Sequence, residues 1–150
     1  HGDIIYLCVL TLPLPNGKPD LKALQAALKT LSQSIKSSKL IVEKTTLPLK
    51  TGEWLKQTLR SQLPRDIHFD VAVVPHFMRE GSAIYDFLHP DRIVIGAQTE
   101  DSANVLKAIY SAIDAPMLVT DTDSAELIKH GSNAFLALKI SFINTIAQLC

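Results

Sequence analysis

Ile4-Ile5-Tyr6-Leu7-Cys8-Val9-Leu10 is a nearly unbroken apolar run. From Asp3 to Leu10 it reads as a strand buried on both faces of a parallel sheet, where flanking helices leave no face for polar side chains. The residues that follow repeat the theme. Asn16-Gly17, inside the stretch Pro13 to Pro19, marks a loop, and Asp20 can cap a helix on which Leu21, Leu24, Leu28, Leu31 and Ile35 form one apolar stripe. Leu40-Ile41-Val42, Phe69 to Val74, Arg92-Ile93-Val94-Ile95 and Met117-Leu118-Val119 read as further strands. Thr51 to Leu63 reads as a helix with Trp54, Leu55, Leu59 and Leu63 inward and Pro64 ending it. A short helix is expected within 77–89. Asp101 to Ile113 is another, with Val105, Leu106, Ile109, Tyr110 and Ile113 inward, and Ser124 to Leu149 is a long one, apolar around most of its circumference and so expected to be packed on several sides. Strands alternating with helices predict one α/β domain: an open, mostly parallel sheet of about five strands with right-handed crossovers.

Composition narrows the function. At 150 residues, 47% apolar, with mean hydropathy +0.16, the chain suits a single well-packed domain. Fifteen basic and fifteen acidic side chains cancel, so no global field recruits nucleic acid or an anionic membrane surface. No targeting segment and no uninterrupted apolar stretch of bilayer length occurs, and a cytoplasmic protein is expected. Cys8 and Cys150 are too sparse for a disulfide framework and read as unpaired thiols. No metal-ligand spacing is present. An apolar first strand left at the edge of the sheet would recruit another chain, and a homo-oligomer is expected.

Three ordered blocks carry a resemblance. Val74-Pro75-His76-Phe77-Met78-Arg79-Glu80-Gly81, with Pro90-Asp91-Arg92 and Gly96 beyond it, is similar to the active-site loop Asn-Pro-Glu-Phe-Leu-Arg/Lys-Glu-Gly followed by Pro-Asp-Arg-x-x-x-Gly of the nucleotide-sugar dehydrogenases, the UDP-glucose and GDP-mannose type. Val42-Glu43-Lys44-Thr45-Thr46-Leu47-Pro48 resembles their strand end Glu-Lys-Ser-Thr-Val-Pro. Glu126-Leu127-Ile128-Lys129 through Asn133-Ala134-Phe135-Leu136-Ala137 and Ile143-Asn144 resembles their long central helix. The resemblance implies a Rossmann-like domain, with 124–150 matching the helix that connects it to the next domain. NAD is the family's cofactor and a small-molecule sugar nucleotide its substrate. The Gly-x-Gly-x-x-Gly turn that holds the cofactor pyrophosphate, and the glycine-rich segment with the nucleophilic cysteine, have no counterpart within these residues. An internal piece that binds no NAD alone is the expectation.

Each candidate residue follows from the resemblance. Thr46 matches the threonine that orders water and substrate at the reacting carbon, and Lys129 with Asn133, one helical turn apart, the pair that stabilises charge developing on the sugar oxygen. Phe77, Met78, Arg79 and Glu80 match the lining of the nucleotide-sugar pocket, and Thr11 and Thr45 lie on the cofactor side. His76 stands where the family has its general-base glutamate; imidazole can also accept a proton near neutral pH. Arg92 is read as structural, an ion pair or carbonyl clamp. The plain alternatives are a turn-forming threonine, a solvated lysine and a capping amide.

Leu10, Leu12, Val73 and Val74 replace smaller or polar family residues at adjacent strand ends. Two readings accommodate this. One is a degenerate relative or fragment with a collapsed pocket, acting at most as a non-catalytic scaffold. The other is an engineered, apolar pocket in which His76 with Cys8 forms an esterase dyad, or Lys129 serves a lyase.

Overall fold

A computed structural model describes residues 2–149. Five strands form one sheet in the order β1-β2-β3-β4-β5, namely Ile4–Leu7, Lys39–Glu43, Phe69–Val73, Ile93–Ala97 and Met117–Thr120. Five helices alternate with them: α1 (Lys22–Ser34), α2 (Thr51–Gln62), α3 (Ala83–Leu88), α4 (Glu100–Tyr110) and α5 (Thr122–Leu149). The expected α/β fold is present. β1, β2 and β3 run parallel, as do β4 and β5, whereas β3 and β4 pair antiparallel over Ala72↔Ala97 and Val73↔Gly96. The reversal has a local cause. A parallel crossover needs a helix that covers the sheet, and α3 is six residues long with none of them buried.

Two cores sandwich the sheet. On one face Leu7, Ile41 and Val71 meet Leu24 and Leu28 of α1 and Leu55 and Leu59 of α2. On the other, Leu40, Val42, Ala72, Val74 and Ile95 meet Leu106 and Tyr110 of α4. A third cluster, Val73 and Val94 with Ala125, seats the start of α5 on the first face. There β4 comes so close to α5 that a Cβ on Gly96 would lie 2.6 Å from Ala125 Cβ and 2.9 Å from Asp121 O.

Three expectations are corrected. The opening strand stops at Leu7, and Leu7 alone within it is fully buried, because β1 is an edge strand without a neighbour on its outer side; Cys8 lies beyond it and is exposed. Val105 and Ile109 of α4 are exposed, because the inward stripe is Ser102, Ala103, Leu106 and Tyr110, one position round the helix. The long helix is enclosed only over its first turns: Phe135, Leu136, Leu138, Ile140, Phe142 and Ile143 are all exposed. The Asp20 expectation needs a small change. Its carboxylate accepts from Lys22 N at 2.9 Å, the first residue of α1. Cys150 lies outside the described residues, and no helix among them is long and apolar enough to cross a membrane.

Candidate active site

In a parallel sheet the chain leaves every strand at the same edge, and ligand crevices open there. The ends of β1, β2 and β3 bring together Thr11, the segment Glu43 to Leu47, and the segment from Val74 to Phe77, while α5 crosses the edge with Glu126, Lys129 and His130. Thr11 Oγ1 donates to Thr46 O at 3.3 Å, and Thr45 Oγ1 donates to Leu7 O at 3.2 Å. These two bonds tie the first strand end to the second. Glu43, Thr45, Thr46, Pro75, Lys129 and His130 line one small cavity. Val74 N donates to Glu43 O at 2.8 Å, which fixes the third strand end to the second.

Lys129 is 7% exposed and has no salt bridge or hydrogen bond among the described residues. Its ammonium lies 5.3 Å from the centre of the Phe77 ring, whose other cationic neighbour is Arg92 at 4.5 Å. Arg92 also donates to Ser132 Oγ at 3.2 Å, so it holds the loop against α5 through ring and hydroxyl rather than through an ion pair or carbonyl. Burial pushes the Lys129 amine below the usual lysine range. His76 is pushed down as well, first by desolvation and then by the charges of Lys129 and Lys44, and its Nδ1 has no partner among the described residues. The imidazole therefore stands neutral near pH 7. Lys44, on the α4 face, donates to Tyr110 Oη at 3.4 Å and lies over the Tyr110 and Phe87 rings; burial lowers it to about 8.

The other candidates divide. Asn133 is exposed one turn beyond Lys129. Phe77 and Met78 are half-buried, while Glu80 is exposed. Arg79 turns to its own loop: Asp86 accepts from its backbone N–H and guanidinium at 2.7 to 3.1 Å and from Ser82 Oγ at 2.9 Å. That clamp holds the Asp86 carboxyl well below the usual carboxylate range. Cys8 and His76 share no hydrogen bond among the described residues. The expected apolar wall is absent: Leu10 and Leu12 are 71% and 60% exposed, whereas Val73 and Val74 are buried on opposite faces of the sheet. Successive residues of a strand point to opposite faces, so those four side chains cannot line one pocket. A cavity of about 450 Å³ opens at the other end of the sheet, beside Asp3, Lys39, His68 and Asp70.

Three residues carry more of this geometry than their sequence context suggested. Glu126 accepts from Gly52 N at 2.7 Å and from Lys50 N, closing the N-terminus of α2. His130 Nε2 contacts Leu47 O at 2.7 Å and pins the loop after β2. Glu43, 1% exposed, has an Oε2 with no partner among the described residues. Its carboxyl is raised to about 8, by burial first and by Glu126 second. Burial raises Glu126 as well, but two backbone N–H groups favour its anion, so Glu43, whose Oε2 has none, holds the proton of the pair. An acid interrupting an apolar strand was the visible signal.

Folding thus leaves Glu43 protonated at pH values where the unfolded chain has released the proton. Stability should therefore fall as pH rises from 4.5 towards 8, by up to ~1.4 kcal/mol per pH unit. Urea titrations of the parent and Glu43→Gln at several pH values check this; an equal pH slope in both would contradict it.

Residues 1–114 match the model of the UDP-glucose/GDP-mannose dehydrogenase family, NAD binding domain, and residues 123–150 match that of its central domain. The chain belongs to this family. A putative UDP-glucose 6-dehydrogenase, YtcA, of Bacillus subtilis is 47% identical over 98% of the chain, and the UDP-glucose 6-dehydrogenase YwqF of the same organism is 41% identical over 100%. Among solved structures, a UDP-glucose dehydrogenase from Pyrobaculum islandicum is 42% identical with TM-score 0.89, covering 96% of the chain and 34% of that protein. A GDP-mannose dehydrogenase from Pseudomonas aeruginosa is 26% identical with TM-score 0.88, over 95% of the chain and 34% of that protein. The chain spans about a third of the length of these curated relatives, 35% of YtcA and 34% of YwqF.

Proposed function

We propose that this chain forms the sugar-facing part of an NAD-dependent dehydrogenase that oxidises the primary alcohol of a UDP-sugar, UDP-glucose first, to the acid. The observation that carries this is Lys129: a buried cation in no direct salt bridge among the described residues, in one cavity with Thr46 at the strand-end edge. Such a cation is costly unless something negative arrives, and the oxyanion that develops when an alcohol loses its proton is that charge. UDP-glucose is favoured over GDP-mannose because relatives at 40% identity or more include the UDP-glucose 6-dehydrogenases YwqF and TuaD and the putative one YtcA.

The strand-end threonines fit the cofactor. The Thr11 and Thr45 hydroxyls donate inward, which leaves lone pairs that can accept from a carboxamide N–H₂. NAD, when bound, supplies the hydride acceptor, and two molecules of it in turn would take the two hydrides that leave as alcohol becomes acid. This chain's residues contribute positioning and one proton transfer: Thr46 orients the substrate hydroxyl, Lys129 steadies its oxygen, and His76, neutral and without a partner at Nδ1 among the described residues, takes a proton from the water that completes the acid. The 150 residues contain neither a Gly-x-Gly-x-x-Gly turn nor a glycine-rich cysteine segment, and on their own they are expected not to turn over. Two further readings draw less support, since an esterase dyad needs His76 in contact with Cys8, and an apolar pocket needs Leu10 and Leu12 inside.

The test is NADH formation with UDP-glucose and with GDP-mannose, by the protein with and without the family's remaining segments. Turnover of UDP-glucose only with them present is expected, and its kcat/KM should have an acid limb below pH 6.5, because His76 is lowered from that value. Turnover by the 150 residues alone, or an acid limb unchanged in His76→Gln, would contradict the reading.

A further inference from the structure

We infer that the cavity between the end of β2 and α5 is a one-water site built on Glu43, and that through this water Glu43 is a positioning residue for Lys129. The inference rests on the proposed role of Lys129. The cavity is about 10 Å³, close to the least that admits one water. Its lining is polar where a water needs partners: Glu43, Thr46, Glu126, Lys129 and His130 all border it. Glu43 is 1% exposed and its Oε2 has no protein partner, a condition that buried carboxyl oxygens rarely sustain without a bound water.

The proton inventory is consistent. Glu126 already accepts two backbone N–H bonds as an anion, and Glu43, forced close to it, keeps its proton. A water between them can accept from the Glu43 O–H and from one Lys129 N–H while donating to Glu126. This consumes one of the three ammonium hydrogens and fixes the direction of the others. Phe77 bounds the ammonium at 5.3 Å. With ring and water in place the amine has few directions left besides the strand-end crevice. Glu43 itself stays out of reach of a substrate in that crevice, being enclosed by Leu47, Val73 and α5, so its effect is on the aim of Lys129.

The test compares Glu43→Gln, Glu43→Leu and Lys129→Met in the full-length protein, by crystallography and steady-state kinetics with UDP-glucose. Water density within hydrogen-bond distance of Glu43 Oε2 is expected in the parent and in Glu43→Gln, with kcat in the latter within about threefold of the parent. Glu43→Leu should expel the water and lower kcat by up to ~10²-fold with KM nearly unchanged, the signature of a misplaced group. A parent structure with a dry cavity overturns the inference, as does a Glu43→Leu enzyme with normal kcat. A Glu43→Leu protein that fails to fold leaves the parent water and the Gln rescue to decide. A Lys129→Met enzyme with normal kcat would instead overturn the role of Lys129 on which the inference rests.

Discussion

Gly96→Val is expected to destabilise the protein by ~3 kcal/mol or more, the upper range for overpacking. The added carbons have nowhere to go. A Cβ alone would sit 2.6 Å from Ala125 Cβ, 2.9 Å from Asp121 O and 3.0 Å from Thr122 Cα, so relief requires moving the start of α5 off β4. That movement would also displace Glu126 and Lys129, and the site should fail with the fold. Thermal unfolding should show Tm lowered by roughly 10 °C, taking about 2–4 °C per kcal/mol for a domain of this size. Gly131→Ala is the opposite case: an added Cβ meets nothing within 4 Å in the middle of α5, and Tm should rise, since glycine inside a helix costs ~1 kcal/mol against alanine. A Gly96→Val protein as stable as its parent would mean that α5 is not seated on β4 as described.

Glu126→Ala should cost a comparable ~3 kcal/mol. Its carboxylate accepts from Gly52 N and Lys50 N at the start of α2, where four N–H groups lack helical partners and the helix dipole favours a negative charge. Charge-assisted bonds of this kind contribute ~1.5–3 kcal/mol each. The loss would extend beyond α2. Lys50 has a left-handed backbone, φ 67°, a conformation that non-glycine residues hold only under constraint, and the bond to Glu126 is part of that constraint. Glu126→Gln keeps one acceptor oxygen and should recover part of the loss in a denaturant titration. Equal stability of the Ala and Gln variants would show that the carboxylate does not close the helix.

The fold was legible because its signals are local and repeated. The runs at Ile4, Leu40, Phe69 and Ile93 and the stripe from Leu21 to Ile35 each specify an element through burial, and their alternation specifies a mostly parallel sheet. The antiparallel β3/β4 pair was not legible, since it depends on α3 being too short to cross the sheet. Exposure was misread at the edges. Leu10, Leu12 and the outer half of α5 are apolar in sequence yet exposed in the described residues, because the residues themselves do not say whether a neighbour covers them.

The site was legible in part. Ordered motifs pointed to Thr46, His76 and Lys129 as candidates, and of these the sheet edge brings Thr46 and Lys129 to one cavity. Glu43, Glu126 and His130 escaped because their roles arise across more than 70 residues of sequence separation: Glu126 to Gly52, His130 to Leu47, and Glu43 to the cavity under α5. Arg79 has a partner that the motif did not reveal. Its partner Asp86, seven residues on, competes for the guanidinium that the motif alone assigned to a ligand.

The most direct test of the account is the effect of Lys129→Met on NADH formation from UDP-glucose by the full-length protein, with binding of UDP-glucose followed separately by calorimetry. An unpartnered, buried ammonium that meets the developing oxyanion should lower kcat by ~10²–10³ on removal, with substrate affinity changed far less. A Lys129→Met enzyme that keeps its kcat, or loses only affinity, would contradict the claim that this cation serves the reacting oxygen.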